Sequence, residues 1–233
     1  MKAALKFIMT AVGLLLIGVN IGVVLLLTQF EGLLREGLTH QASQILKAEV
    51  RLEAVRIDWA EQALVFMGVA IFNPEGFTDR DALRIESLWV RPDLLTIFAK
   101  APAVREIALQ SAEIHLQYKQ GGTNLGAMMA HARQWSEGQA GGDKRVWGRP
   151  MQVARLRSDP VALQARSIDP PAPETTLTVE GFSVDDPAGG DAVSGARVMH
   201  LILKHMMRRL VSVEGLTGPV QELLLGEVEL EGA

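Results

Sequence analysis

Three hydrophobic patterns follow one another along the chain. Phe7 to Leu27 is an unbroken apolar run, Gln29 to Lys47 repeats at about 3.6 residues, and from Glu49 the period falls to about two. The first run carries no charge over 21 residues. At about 1.5 Å per residue it spans roughly 30 Å, the hydrocarbon thickness of a bilayer, which predicts a transmembrane anchor within residues 1–28. In the second, Leu33, Leu34, Leu38, Ala42 and Ile45 fall on one side, with Glu36, His40, Ser43 and Lys47 largely opposite. That predicts an amphipathic stalk helix over 29–48 that folds down on a sheet. In the third, Val50 and Leu52 share one parity and Val55, Ile57 and Trp59 the other, which predicts a bulge or bend near Ala54. "ALVFMGVAIF" (63–72) reads as a strand covered on both faces or facing something apolar, with Gly68 marking a kink or a close approach.

Ala60-Glu61-Gln62 is short enough to close a hairpin between these strands. Asn73-Pro74-Glu75-Gly76 reads as a turn: Asn73 bonds its own backbone, Pro74 presets φ, and Gly76 suits the last position. "ALRIESLWV" (82–90) resumes with Leu83 and Ile85, then slips parity to Leu88 and Val90. Leu94, Leu95 and Phe98 form the apolar side of a short helical turn after Pro92. Residues 104–118 hold two strand-like pieces, Ile107/Leu109 and Ile114/Leu116/Tyr118, and "NLGAMMAHARQW" (124–135) is a helix capped by Thr123 or Asn124. Gly-rich 136–149 is a flexible connection. Strands follow near 150–157, 161–168 and 175–184. Helix 196–213 places Met199, Ile202, Leu203, Met206, Leu210 and Val213 on one stripe, with Arg197, His200, Lys204 and Arg208 opposite. The closing "GEVELEG" alternates Glu227, Glu229 and Glu231 with Val228 and Leu230, as a short strand with a solvated acidic face would. Residues 150–233 read as completing the domain begun at 49–135.

Charge decides the topology. Lys2 and Lys6 precede the apolar run, while Glu31, Arg35 and Glu36 follow it, so the N-terminus is expected in the cytoplasm and the bulk outside it. A cleaved signal peptide is the rival reading, but the run exceeds its usual apolar length and "LLLTQFEG" offers no good small-x-small site. Net charge is −4 with both signs mixed, and no concentrated basic field points to nucleic acid. Cysteine is absent, which excludes disulfides and thiolate metal sites.

Catalytic and cofactor motifs are missing. His40, His115, His131, His200 and His205 form no metal-ligand spacing, and His200 and His205, five apart, do not share a helix face. There is no nucleophile elbow, phosphate loop or dinucleotide fingerprint; "GGTNLG" lacks a lysine. Asp185-Asp186-Pro187 reads as a turn or cap. No enzyme activity and no cofactor are expected. Three features carry a binding reading beside the plain structural one. The first is the strand around Val65, Met67, Val69 and Ile71 with Val55, Ile57 and Trp59: core, or the lining of a lipid groove. The second is helix 196–213: packed on the sheet, or offering Arg197, Lys204, Arg208, Leu203 and Met206 to anionic lipid or a partner protein. The third is Trp135, Lys144, Arg145, Trp147 and Arg149 around the flexible connection: a mobile loop, or a membrane contact.

The order of anchor, amphipathic helix, "EVRLEAVRIDW", "IFNPEGF", "ALRIESLWVRPDLL", "VREIALQSAEIHLQY" and "NLGAMM" resembles the N-terminal module of the AsmA-like proteins of Gram-negative bacteria. Asn73, Pro74, Gly76 and Phe77, then Ile107, Leu109, Ile114, Asn124 and Leu125, fit that family's pattern over roughly residues 1–135. The resemblance implies an α+β protein: a single-pass inner-membrane helix followed by a curved, mainly antiparallel sheet with flanking helices in the periplasm. It implies binding of lipid acyl chains, or support of envelope lipid transport, without catalysis. A sheet of seven or so strands at about 4.8 Å spacing is only about 30 Å across, enough to shelter a lipid tail and too short to bridge two membranes. The alternative is a membrane-tethered accessory subunit or scaffold that grips a partner through helix 196–213 and the anchor.

Overall fold

The computed structural model describes residues 32, 35–78, 80–96, 98–138, 150–213, 216 and 218–229. The expected anchor at 7–27 lies outside the described residues, as do Lys144, Arg145, Trp147 and Arg149. Among the described residues, no helix is long and apolar enough to cross a membrane. The chain divides into two compact units, Met1–Leu38 and Thr39–Ala233. The second is α+β, with an open, mainly antiparallel sheet.

Helix α1 runs through residues 35–46 and turns at Lys47, where Ser43 Oγ accepts from Val50 N at 2.9 Å. Strands β1 (Val50–Asp58), β2 (Ala63–Phe72), β3 (Asp81–Pro92) and β4 (Ala103–Lys119) follow as an antiparallel meander. A 3-10 turn at Leu94–Thr96 lies between β3 and β4. The two pieces expected in 104–118 are one strand of 17 residues. The chain then makes β5 (Gly122–Thr123), helix α2 (Asn124–Gly138), β6 (Gln152–Val153), β7 (Arg155–Ser158) and β8 (Val161–Ser167). β6, β7 and β8 lie end to end, parallel to β4, and α2 sits in the crossover that a parallel pairing requires. β9 (Thr175–Val179) and β10 (Phe182–Asp185) return antiparallel along β8 and β7, so the segment after 150 extends the first sheet. Helix α3 (Gly195–Val211) starts at Ser194, whose Oγ accepts from Arg197 N, and α4 (Gly218–Glu229) ends the described chain. The acidic alternation at 227–231 thus belongs partly to a helix, not to a strand.

The parity slips in the sequence fall on one line across the sheet. The β1–β2 register sets Glu53 opposite Gly68, and β2–β3 sets Gly68 opposite Glu86. β3–β4 sets Glu86 opposite Ser111, and the parallel pairing carries that row to the break at Asp159-Pro160 and on to Glu180-Gly181. Gly68 and Ser111 both have left-handed backbones, φ 61 and 51. A residue in that conformation breaks the two-residue alternation, so side chains keep one face by switching from odd to even numbers. Below the row, Val50, Ile71, Leu83, Ile114, Leu163 and Leu177 share a face; above it, Ile57, Leu64, Val90, Ile107, Leu156 and Val184 share the same one. A Cβ on Gly181 would lie 2.4 Å from Ser158 O, so glycine is what lets the return strand pass the break so closely.

That face meets the helices. Ile45 and Leu46 of α1, Leu125, Met128 and Met129 of α2, Leu203, Met206 and Met207 of α3, and Val220 and Leu224 of α4 join Leu83, Ile114, Leu116 and Leu163 in one core. The other face sends Arg51, Arg84, Arg155 and Arg157 into solvent, the usual division of an antiparallel sheet covered on one side.

Candidate functional site

The seven groove candidates do not line one accessible surface. Val69 and Ile71 pair with Ile85 and Leu83 on the helix-covered face. Met67 and Val65 lie beyond the left-handed Gly68, paired with Ser87 and Trp89 on the opposite face. Val55 and Ile57 return to the covered face, opposite Phe66 and Leu64. Val55, Val65 and Ile71 are buried. The partners that belong with Val55 and Ile57 are therefore Leu64, Phe66 and Leu88, which the parity slip disguised. Ile57, Leu64 and Phe66 are half-buried, and Val55, Ile57, Leu64 and Phe66 all lie outside the contiguous core.

Helix α3 buries the apolar stripe expected of it and departs from the expected faces at His200. Leu203 and Met206 are core residues, not a surface for a partner. Arg197 and Lys204 are half-buried, and Arg208 is exposed. His200, placed by its spacing among the solvated cations, is fully buried. Burial is the main reason its pKa falls to about 4, with Arg197 and Lys204 adding to the effect and a backbone hydrogen bond at Met129 opposing it. His205 rests on the Phe182 ring at 6.2 Å, and its pKa is also lowered, first by burial and then by Arg208. A neutral imidazole within an apolar helix interface is a core group, not a proton shuttle open to substrate.

The Asn-Pro-x-Gly corner and the Asn-Leu helix start meet in space. Asn124 is wholly buried, and its Nδ2 donates to Asn73 Oδ1 at 2.6 Å and His115 O at 2.8 Å. Its Oδ1 accepts from Gln117 N and Leu125 N, each at 3.0 Å. Gln117 reaches Thr78 through both side-chain ends, and His115 Nδ1 lies 2.9 Å from Asp81 O. Asn73 closes its own corner through Nδ2 to Thr78 O. Every amide donor and acceptor of Asn124 is thus used, which fixes the corner, β4 and α2 against one another. This is a structural lock; the groups it holds are spoken for.

Beside it, the Gly121-Gly122-Thr123 turn receives a carboxylate from α4. Thr123 N and Oγ1 donate to the two Glu227 oxygens, each at 2.6 Å, while Thr123 Oγ1 accepts from Gly126 N and caps α2. Burial raises the Glu227 pKa and the two bonds from Thr123 oppose that rise. Open clefts of about 620 and 640 Å³ flank this contact, one along α2 with Phe77, Lys119 and Arg133, the other beside Asp169 and Pro170. Neither gathers a catalytic constellation, and no metal-ligating group of three or more carboxylates and imidazoles forms among the described residues.

The least expected surface is one end of the sheet. Trp59, in the β1–β2 turn, is 73% exposed; in the neighbouring β3–β4 connection Leu94 is 49% exposed and Leu95 and Phe98 are each 95% exposed. Leu94, Leu95 and Phe98 of that connection point away from the core. The sequence gives the residue types but not their exposure, because apolar side chains at helical spacing read as a packed face. No family model, curated protein or solved structure matches the chain.

Proposed function

We propose that the chain is a membrane-tethered, non-catalytic module that handles lipid at the periplasmic face of a bacterial inner membrane. The resemblance of residues 1–135 to AsmA-like modules supports this reading. So does the row of irregular residues, since the left-handed Gly68 and Ser111 interrupt the pleat of their strands without shifting the register, and a sheet interrupted along one line can bend there around whatever lies on its inner side. The observation that carries the reading is the β1–β2 corner, where Ile57, Leu64 and Phe66 are half-buried outside the contiguous core and Trp59 stands exposed beyond them. Under β3, β4, β7 and β8 the inner face is filled by the protein's own helices. Ile71 belongs to that core too, and Val50 and Val69 pack against it, so an acyl chain would lie along β1 and β2 only beyond Glu53 and Gly68, over a strand length of about 15 Å. Burial of apolar surface is sufficient mechanism and needs no reactive group.

Native mass spectrometry of the full-length protein released from detergent tests this. A lipid adduct is expected on the intact chain, and Phe66→Asp should remove it while far-UV circular dichroism stays unchanged. A spectrum with no lipid, or an adduct indifferent to Phe66→Asp and Ile57→Asp, overturns the reading. A stoichiometric protein partner without lipid would favour the scaffold alternative, gripped by residues other than Leu203 and Met206.

A further inference from the structure

We propose that the end of the sheet formed by the β1–β2 turn and the β3–β4 connection inserts into the interfacial layer of a lipid bilayer. Two adjacent loops place Trp59, Leu94, Leu95 and Phe98 in water at the same end of the strands. Isolated exposed leucines are ordinary, but several large apolar groups gathered at one end, two of them almost wholly exposed, mark a contact surface.

These side chains are held outward by hydrogen bonds that close each loop on itself. Asp58 Oδ1 accepts from Glu61 N in the hairpin turn. In the connection, Asp93 Oδ1 accepts from Leu95 N, Asp93 N donates to Ala103 O, and Thr96 Oγ1 accepts from Ala103 N. Arg91 to Glu61 at 3.5 Å and Arg105 to Gln62 at 3.2 Å tie the two loops together. These bonds brace the protrusion on both sides of Trp59 and around Leu95.

A protrusion selects its partner by shape. A protein partner must offer a matching hollow, whereas a bilayer deforms around a few inserted side chains. The residue types fit the second case: tryptophan favours the membrane interface, and the exposed Lys100 of the connection and Arg105 near the start of β4 suit the phosphate layer above inserted Leu95 and Phe98. The chain's own uncharged stretch at 7–27 would keep a bilayer close at hand, so that a weak insertion is enough. Insertion needs no bound acyl chain, so it stands or falls separately from the lipid adduct above.

The absence of cysteine makes the test direct. Leu95→Cys, Phe98→Cys and, as an exposed control on the irregular row, Glu86→Cys are each labelled with an environment-sensitive fluorophore. The full-length protein is reconstituted into phosphatidylethanolamine–phosphatidylglycerol vesicles. Labels at 95 and 98 should shift to the blue and lose about half their emission or more to nitroxide-bearing lipid, while resisting aqueous iodide. The label at 86 should do the reverse. Iodide quenching at 95 and 98 equal to that at 86 overturns insertion. Shielding from iodide without quenching by nitroxide lipid overturns it too, in favour of a protein contact. Because positions 95 and 98 are 95% exposed, the labelled variants keep the fold.

Discussion

Asn124→Asp exchanges one amide nitrogen for oxygen at a side chain with no exposure to solvent. The retained oxygen still accepts from Gln117 N and Leu125 N. The new one faces two acceptors, Asn73 Oδ1 at 2.6 Å and His115 O at 2.8 Å, where the amide donated to both. Each buried partner left unpaired costs about 1–3 kcal/mol, so the pair comes to about 2–6 kcal/mol before any charge is counted. Burial and the two facing acceptors raise the new carboxyl's pKa above its unfolded value near 3.9, against the smaller opposing effect of the Gln117 and Leu125 N–H donors. Protonated, it donates to one of the two acceptors and recovers roughly half of the loss. Near neutral pH, holding that proton against an unfolded pKa near 3.9 itself costs about 4 kcal/mol, so the net effect is about 4 kcal/mol or more, which for a unit of this size lowers Tm by roughly 8–16 °C or more. The assay is thermal unfolding of the full-length protein in detergent, parent beside variant, from about pH 7 down to about pH 4. The unfolded state holds fewer protons at this site than the folded one across that window, so the penalty grows as pH rises and the gap in Tm must narrow toward acid. His200 titrates in both proteins and largely cancels in the difference. A Tm within about 2 °C of the parent near neutral pH, or a gap that widens toward acid, would refute the claim that Asn124 joins the corner to β4 and α2.

Gly181→Ala should destabilise by about 1–3 kcal/mol, because its Cβ would lie 2.4 Å from Ser158 O and 2.9 Å from Asp159 C, both backbone atoms that cannot swing aside. A variant as stable as the parent by thermal unfolding would show that the row of irregular residues tolerates looser passage. The folded-state pKa of His200, about 4, lies below the unfolded value near 6.5. The unfolded state therefore takes up the proton first, and stability falls as pH drops from about 6.5 to about 4, by up to about 3 kcal/mol. His200→Met should flatten that limb of the pH–stability curve; an unchanged slope would mean another group produces it.

The local signals determined the elements. The two-residue period named β1 to β4, the 3.6-residue period named α2 and α3, and Asn73-Pro74-Glu75-Gly76 and Thr123-Asn124 marked a corner and a helix start. Even the irregular residues were legible one strand at a time: a slip near Ala54, a glycine in β2, another slip between Ile85 and Leu88. Only the tertiary structure aligned them, because alternation is a property of one backbone whereas register depends on how separate strands pair. The same limit split the groove candidates, since counting every second residue through Gly68 carries a reader from one face to the other. Helix α3 showed a stripe, yet α2 and α4 pack around it and bury His200, Leu201 and Met207 beside the stripe as well. At the C-terminus, alternation too short to separate strand from helix was decided by α4 and by Glu227 reaching Thr123, more than a hundred residues away in sequence. The exposed end of the sheet was settled last of all. Composition says that Leu95 and Phe98 are apolar, but whether an apolar side chain meets the core or the solvent depends on where the folded chain has room for it.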